Sequence, residues 1–144
     1  MIEQGFFFSN NQDVSGNATS AVSTNVSSKN NAPTNKDAWG SNANAQIGGM
    51  TIVCVLTSAN NCTGGSVTPY LYTHTANNLN AAGTLLATLP AIAQNAVPKT
   101  TVKYTLPEGT ERLKFLGMRY TNTGNVTEAD VTCWMEAGKG ELHD

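Results

Sequence analysis

Charged side chains are scarce in this chain. Its 144 residues include 8 basic and 10 acidic side chains, or 12%, where about 25% is usual for a soluble domain. Between Asp37 and Lys99 there is no Asp, Glu, Lys or Arg, and His74 is the one histidine. Because a neutral stretch of this length is rarely a free surface, we expect another protein to cover part of it.

The same scarcity excludes several kinds of partner. With a net charge of −2 and scattered basic residues, the chain lacks the cluster of Lys and Arg that phosphate binding requires, so we expect no nucleic-acid partner. No run approaches the ~18 apolar residues of a membrane span. The first residues lack the basic and then apolar regions of a signal peptide. We therefore expect one soluble domain, no membrane partner, and no secretion by the usual route.

Cysteine is also rare. Cys54, Cys62 and Cys133 are odd in number and widely spaced, which favours reduced thiols over a disulfide framework.

Hydroxyl and amide side chains supply the solubility that charged side chains usually give, since Asn, Thr and Ser make up 45 of the 144 residues. Four glycosylation sequons follow from this composition, and without a signal peptide we expect them to be unmodified. They begin at Asn17, Asn25, Asn61 and Asn125.

Residues that could support catalysis are few. His74 and His143 are the only histidines; His74 has no Asp or Glu neighbour in sequence, and His143 lies beside Asp144 in the polar tail, so neither suggests a triad or a metal site. Glu108 and Glu111 lie in a predicted turn, where solvation is more common than glycosidase chemistry. The four Asp residues are too scattered for a calcium loop. We therefore expect no enzyme activity, no metal and no cofactor.

Short strands dominate the pattern from Ile47 onward. Turns rich in Gly, Pro and Asn separate segments with apolar or alternating side chains, and no segment has a sustained helical period. The predicted strands are Met50–Leu56, Val67–His74, Thr84–Leu89, Thr100–Leu106, Arg112–Thr121 and Val131–Ala137. A slip in the apolar phase predicts a β-bulge at Gly117, and Asn122–Asn125 predicts a turn.

This pattern predicts an all-β, jelly-roll-like β-sandwich over residues 47–144. Residues 1–46 are expected to form an N-terminal strand followed by an extended polar arm, because 27–46 contain scarcely an apolar side chain except Trp39.

Candidate binding residues are aromatic. A first strand through Phe6, Phe7 and Phe8 would bury alternate rings and leave Phe7 on a second surface. Trp39 in the polar arm is either an interface anchor or folded back onto its own domain. Trp134 is predicted to point outward between Thr132 and Glu136. We take Phe6, Phe7, Phe8, Trp39 and Trp134 as the candidate protein-interface residues.

Short motifs in the second half of the chain resemble a known family. The string runs from Leu106-Pro107-Glu108-Gly109 through Arg112–Leu116, Arg119-Tyr120-Thr121 and Thr123-Gly124 to Val131–Met135. It is similar to the closing strands of the capsid cement, or decoration, proteins of short-tailed bacteriophages. Ser23–Val26, Leu85–Ala87 and Leu89-Pro90 match the same family. The Asn-rich stretch from Ser27 to Gln46 and Cys54-Val55-Leu56 depart from its compact members.

The resemblance implies a function without catalysis. Cement proteins of this family are jelly-roll-like sandwiches that self-associate and bind the outside of the major capsid protein shell at capsomer junctions, which stabilises the shell. The chain would then be made in the host cytoplasm and end on the virion exterior. A homodimer is favoured, and a homotrimer is the alternative.

A carbohydrate-binding β-sandwich, such as an adhesin or lectin-like module, is the rival interpretation. Tyr70 and Tyr72 share one strand face, and with Trp39 or Trp134 they could stack on sugar rings.

Overall fold

A computed structural model describes residues 6–17, 19–28, 45–80 and 82–136. These residues form β-strands and connecting turns, with no helix among them, and hence none there that is long and apolar enough to cross a membrane. The strands are β1 Phe6–Asp13, β2 Gly16–Asn17, β3 Ser20–Val22, β4 Ser27–Ser28, β5 Ala45–Gln46, β6 Thr51–Leu56, β7 Thr63–His74, β8 Thr84–Thr88, β9 Thr101–Thr105, β10 Glu111–Arg112, β11 Phe115–Glu128 and β12 Asp130–Glu136.

The first sheet has the order β1-β12-β6-β9, and every neighbouring pair is antiparallel. Its inner face is apolar because the strands alternate: β12 buries Val131, Cys133 and Met135, while the residues between them lie on the other face. Before Gln46, β1 adds Phe8 to the same core. The sandwich therefore includes described residues before Gln46 as well as those after Ile47.

The second sheet has the order β2-β11-β7-β8, and β3 and β4 also pair with β11. Because β2, β3 and β4 pair with successive parts of β11, they act together as one interrupted strand. The long β11 carries Leu116, Met118 and Tyr120 on its inner face. A small third sheet joins β5 to β10.

The strand order is that of a jelly roll. With β2–β4 counted as one strand, each sheet has four strands, the first strand pairs with the last, and the chain crosses repeatedly between the two sheets. The all-β sandwich that the sequence predicts is thus confirmed. Within the expected polar arm, Ser27–Ser28 and Ala45–Gln46 form β4 and β5, and residues 29–44, with Trp39, lie outside the described residues.

Polar side chains also connect distant parts of the sandwich. The Tyr120 hydroxyl in the second sheet is 2.7 Å from Ser9 Oγ in the first, and Ser9 donates to Gln12 Oε1 at 2.6 Å. Arg112 is 2% exposed and donates to Ser27 Oγ at 2.7 Å and to the Ser27 carbonyl at 2.9 Å. Burial lowers the pKa of this guanidinium to about 10, so it keeps its charge at neutral pH and holds β4 against the start of β11.

Two local predictions are wrong. Gly117 is not a bulge, since β11 stays in register with β7 from Phe115 through Gly124. The expected turn at Asn122–Asn125 is part of β11, and the irregularity in the pairing lies between Gly124 and Glu128.

Candidate protein-binding surface

The outer face of the first sheet carries one cross-strand row of large side chains. Phe7 pairs with Trp134, Trp134 with Val53, and Val53 with Lys103. Their positions follow from alternation, because each is next in sequence to residues that point into the core. Val53, in the middle of the row, is itself only 4% exposed. We call the outer face around Phe7, Trp134 and Val53 the aromatic face.

Phe7 and Trp134 form the largest apolar feature of this face. Their ring centroids are 5.7 Å apart with an interplanar angle of 39°. Phe7 is 53% exposed, and Trp134 is half-buried. The indole Nε1 donates to Glu136 Oε1 at 2.8 Å, which fixes the orientation of the ring. Since aromatic side chains lose few rotatable bonds on binding, this pair is suited to anchoring a partner.

Hydroxyl groups surround the aromatic pair. On one side the neighbouring cross-strand row is Thr132, Val55 and Thr101. On the other side Thr51 Oγ1 lies 2.9 Å from Thr105 Oγ1. Glu136 lies near one edge and Lys103 near the other, and Asp13 and Asp130 are opposite each other at the far end of the same face. A neutral rim of hydroxyls can be desolvated at much lower cost than a rim of ions.

The three consecutive phenylalanines divide between two environments, as the alternation of a strand requires. Phe8 is fully buried, and Phe6 packs against the core beside it with ring centroids 5.1 Å apart. Only Phe7 projects to the surface. The structure thus brings Phe7 and Trp134 together from opposite ends of the chain, buries Phe8, and leaves Phe6 partly buried against the core.

The outer face of the second sheet holds a different aromatic group. Tyr70 and Tyr72 lie with ring centroids 6.3 Å apart. The Arg119 guanidinium covers the Tyr72 ring at 3.8 Å from its centroid and donates to the carbonyls of Leu79 and Ala82. One face of Tyr72 is therefore occupied by a contact that holds the 75–83 loop on the sheet.

Among the described residues, chemically reactive groups do not converge on either face. His74 Nδ1 accepts a hydrogen bond from the Ala76 amide at 2.8 Å, so its side chain caps a turn. Within the described residues, no group of three or more His, Cys, Asp or Glu side chains is arranged to hold a metal ion.

Sequence comparison adds no relative: no protein-family model matches the chain, and no curated protein is significantly similar to it.

Proposed function

We propose that this protein is a phage capsid cement protein that binds the major capsid protein on the outside of the shell through its aromatic face. The observation that carries the proposal is the Phe7–Trp134 pair, in which Phe7 is exposed and Trp134 is half-buried, on a sheet face bordered by hydroxyls. Aromatic side chains are enriched and charged side chains are depleted at the centres of protein interfaces. The motifs between Leu106 and Met135 that resemble cement proteins, and the jelly-roll strand order, support the same function.

Under this proposal the protein is made in the host cytoplasm and adds to the shell at capsomer junctions in many copies. Many modest contacts then act together, since each anchored copy can hold neighbouring capsomers in place. Self-association, with a dimer favoured over a trimer, would extend this effect.

The rival function, sugar binding, depends on Tyr70 and Tyr72. Stacking on a sugar requires a free ring face, and Arg119 already occupies one face of Tyr72. The tyrosine pair therefore has an evident role within the protein, in holding the 75–83 loop. The Phe7–Trp134 pair has no comparable cover among the described residues, which favours the aromatic face as the binding surface.

The test measures binding to shells assembled from the major capsid protein of the same phage. Trp134→Thr removes the indole and keeps a β-branched residue suited to a strand. We expect affinity in a co-sedimentation assay to fall about 30-fold, which corresponds to the ~2 kcal/mol of an interface hot spot. Tyr70→Thr on the opposite sheet is the matched control and should bind as the wild type does.

Two results would count against the proposal. Equal binding by Trp134→Thr and wild type would exclude the aromatic face as the contact. The rival function would be established if the wild-type protein does not bind the shells but binds defined sugars on a glycan array, and if Tyr70→Thr loses that sugar binding.

A further inference from the structure

Two of the three cysteines face each other in the core. Cys54 on β6 and Cys133 on β12 are directly opposite in the register of the first sheet. Both side chains lie on the inner face, both are fully buried, and both thiols are free. The sequence spacing of 79 residues gives no hint of this pairing, which arises only from the neighbouring positions of β6 and β12.

The hydrogen-bond pattern shows which kind of antiparallel pair they form. The Thr57 amide donates to the Asp130 carbonyl at 2.8 Å, so these two residues form a hydrogen-bonded pair. Such pairs alternate along a ladder with non-hydrogen-bonded ones. Three positions further along, Cys54 and Cys133 are a non-hydrogen-bonded pair, the kind whose side chains come closest. A Cβ separation of about 4.5 Å in such a pair is at the upper limit of what a disulfide spans.

We propose that Cys54 and Cys133 form an intramolecular disulfide when the folded protein meets a small oxidant of the peroxide class. The sulfur of one cysteine attacks hydrogen peroxide, becomes a sulfenic acid, and releases one water. The sulfur of the second cysteine then attacks the sulfenic sulfur, which forms the S–S bond and releases a second water. Two thiols lose two protons and two electrons in total, and one peroxide is reduced to two waters.

The surroundings of the pair explain why it is reduced at first and oxidised slowly. The neighbouring Cys133 thiol and burial raise the pKa of Cys54, so little reactive thiolate is present near neutral pH. Burial also excludes bulky disulfide reagents while the protein stays folded. A chain made in a reducing cytoplasm would thus fold with free thiols and acquire the cross-link later, outside the cell. This inference does not depend on the proposed shell binding.

Cys62 provides an internal comparison. It is also buried, but its Sγ donates to the Gly65 carbonyl at 3.3 Å, and burial raises the pKa of its thiol. It is not opposite either of the other cysteines in the described strand pairings.

The experiment treats the folded wild-type protein with hydrogen peroxide, alkylates the remaining thiols, and maps peptides without reduction. Trypsin alone leaves Cys54 and Cys62 on one peptide, because no Lys or Arg lies between Lys36 and Lys99. A second digestion with chymotrypsin, which can cut after Leu56, separates them. We expect a peptide that links Cys54 to Cys133, and alkylated Cys62.

Thermal unfolding supplies a second readout. The cross-link closes a loop of about 80 residues and restricts the unfolded chain, so the oxidised protein should melt at least roughly 5 °C above the reduced one. Cys62→Ala should keep both the link and the shift, and Cys133→Ala should lose both.

The proposal fails if Cys54 and Cys133 remain thiols, or become sulfinic acids, under conditions that oxidise Cys62. A link between Cys62 and either residue in the folded protein would overturn it equally. Because the peptide map is made on the wild type, these outcomes are decisive even if a cysteine variant does not fold.

Discussion

Ionisation of the Asp130 carboxyl opposes folding. This residue begins β12 directly opposite Asp13 on β1. Desolvation raises its pKa, and the negative charges of Asp13 and Glu128 raise it further. Asp13 differs because the Ser15 hydroxyl and amide donate to its carboxylate and lower its pKa. The pair is therefore unequal, with Asp13 the more readily ionised member.

Replacing Asp130 by Asn should stabilise the protein at neutral pH. A carboxyl whose pKa is raised on folding stabilises the folded state fully when the pH is below its unfolded pKa of about 4. This stabilisation is lost as the pH rises through the pKa of the folded state. We expect Asp130→Asn to raise the free energy of unfolding at pH 7 by less than ~1 kcal/mol, the usual scale for opposed like charges in a sheet. The gain should disappear near pH 3.

Urea unfolding of Asp130→Asn across this pH range checks the prediction. Asp13→Asn is the control and should give no gain, since it weakens the Ser15 contacts that favour its carboxylate. A pH-independent change in Asp130→Asn would mean that the amide acts through packing and not through charge.

At the scale of elements, the 75–83 loop is packed onto the outer face of β11 at a glycine. A Cβ on Gly117 would lie 2.8 Å from Leu79 Cδ1 and 3.3 Å from Val26 Cγ2. Leu79 is 2% exposed although it belongs to a loop. The absent side chain at Gly117 thus creates the space that Leu79 fills.

Gly117→Ala should therefore destabilise the protein by about 1–3 kcal/mol, the usual cost of overpacking. Leu79→Ala should also destabilise it, by leaving a cavity. The double variant should lose less stability than the sum of the two single losses, because the smaller side chain at 79 makes room for the new methyl group. Denaturant unfolding of the three variants completes this cycle. Strictly additive losses would show that contact with Leu79 is not the reason why Gly117→Ala destabilises the protein.

The sequence predicts some strands better than others, for a physical reason. β6, β9 and β12 alternate or are apolar throughout, and their predicted and observed bounds agree closely. β7 and β11 extend beyond their predictions because their turn-forming residues face each other: Gly65 pairs with Gly124. A Cβ on Gly65 would lie 2.1 Å from the Thr123 carbonyl oxygen. Glycine here permits close strand contact, whereas in sequence it resembles a turn.

At the scale of the whole molecule, the low charge has a measurable consequence for binding. If the aromatic face makes the shell contact, association depends on apolar burial and hydroxyl contacts, which salt screens little. We expect the affinity for shells to change less than about threefold between 50 mM and 500 mM NaCl. A steep loss with salt in the same co-sedimentation assay would indicate a charged contact elsewhere on the protein.

The candidate surface was only partly predictable from the sequence. Alternation alone places Phe7 and Trp134 on the outside of their strands, and the structure agrees. The sequence cannot tell that the two rings touch, since they are separated by most of the chain. Nor does it show that Arg119 covers Tyr72, because the cation and the ring come from different strands.

Local composition and alternation by themselves determined the all-β class, the inward and outward sides of β12 and of Phe6–Phe8 in β1, and the neutrality of the middle of the chain. These features depend on whether each residue type prefers solvent or the core, and that preference is the same wherever the strand lies in the sheet. Only the tertiary structure decided that β12 lies between β1 and β6, which places Phe7 beside Trp134 and Cys54 beside Cys133. Strand neighbours far apart in sequence are chosen by how the whole core packs, and no local pattern carries that information.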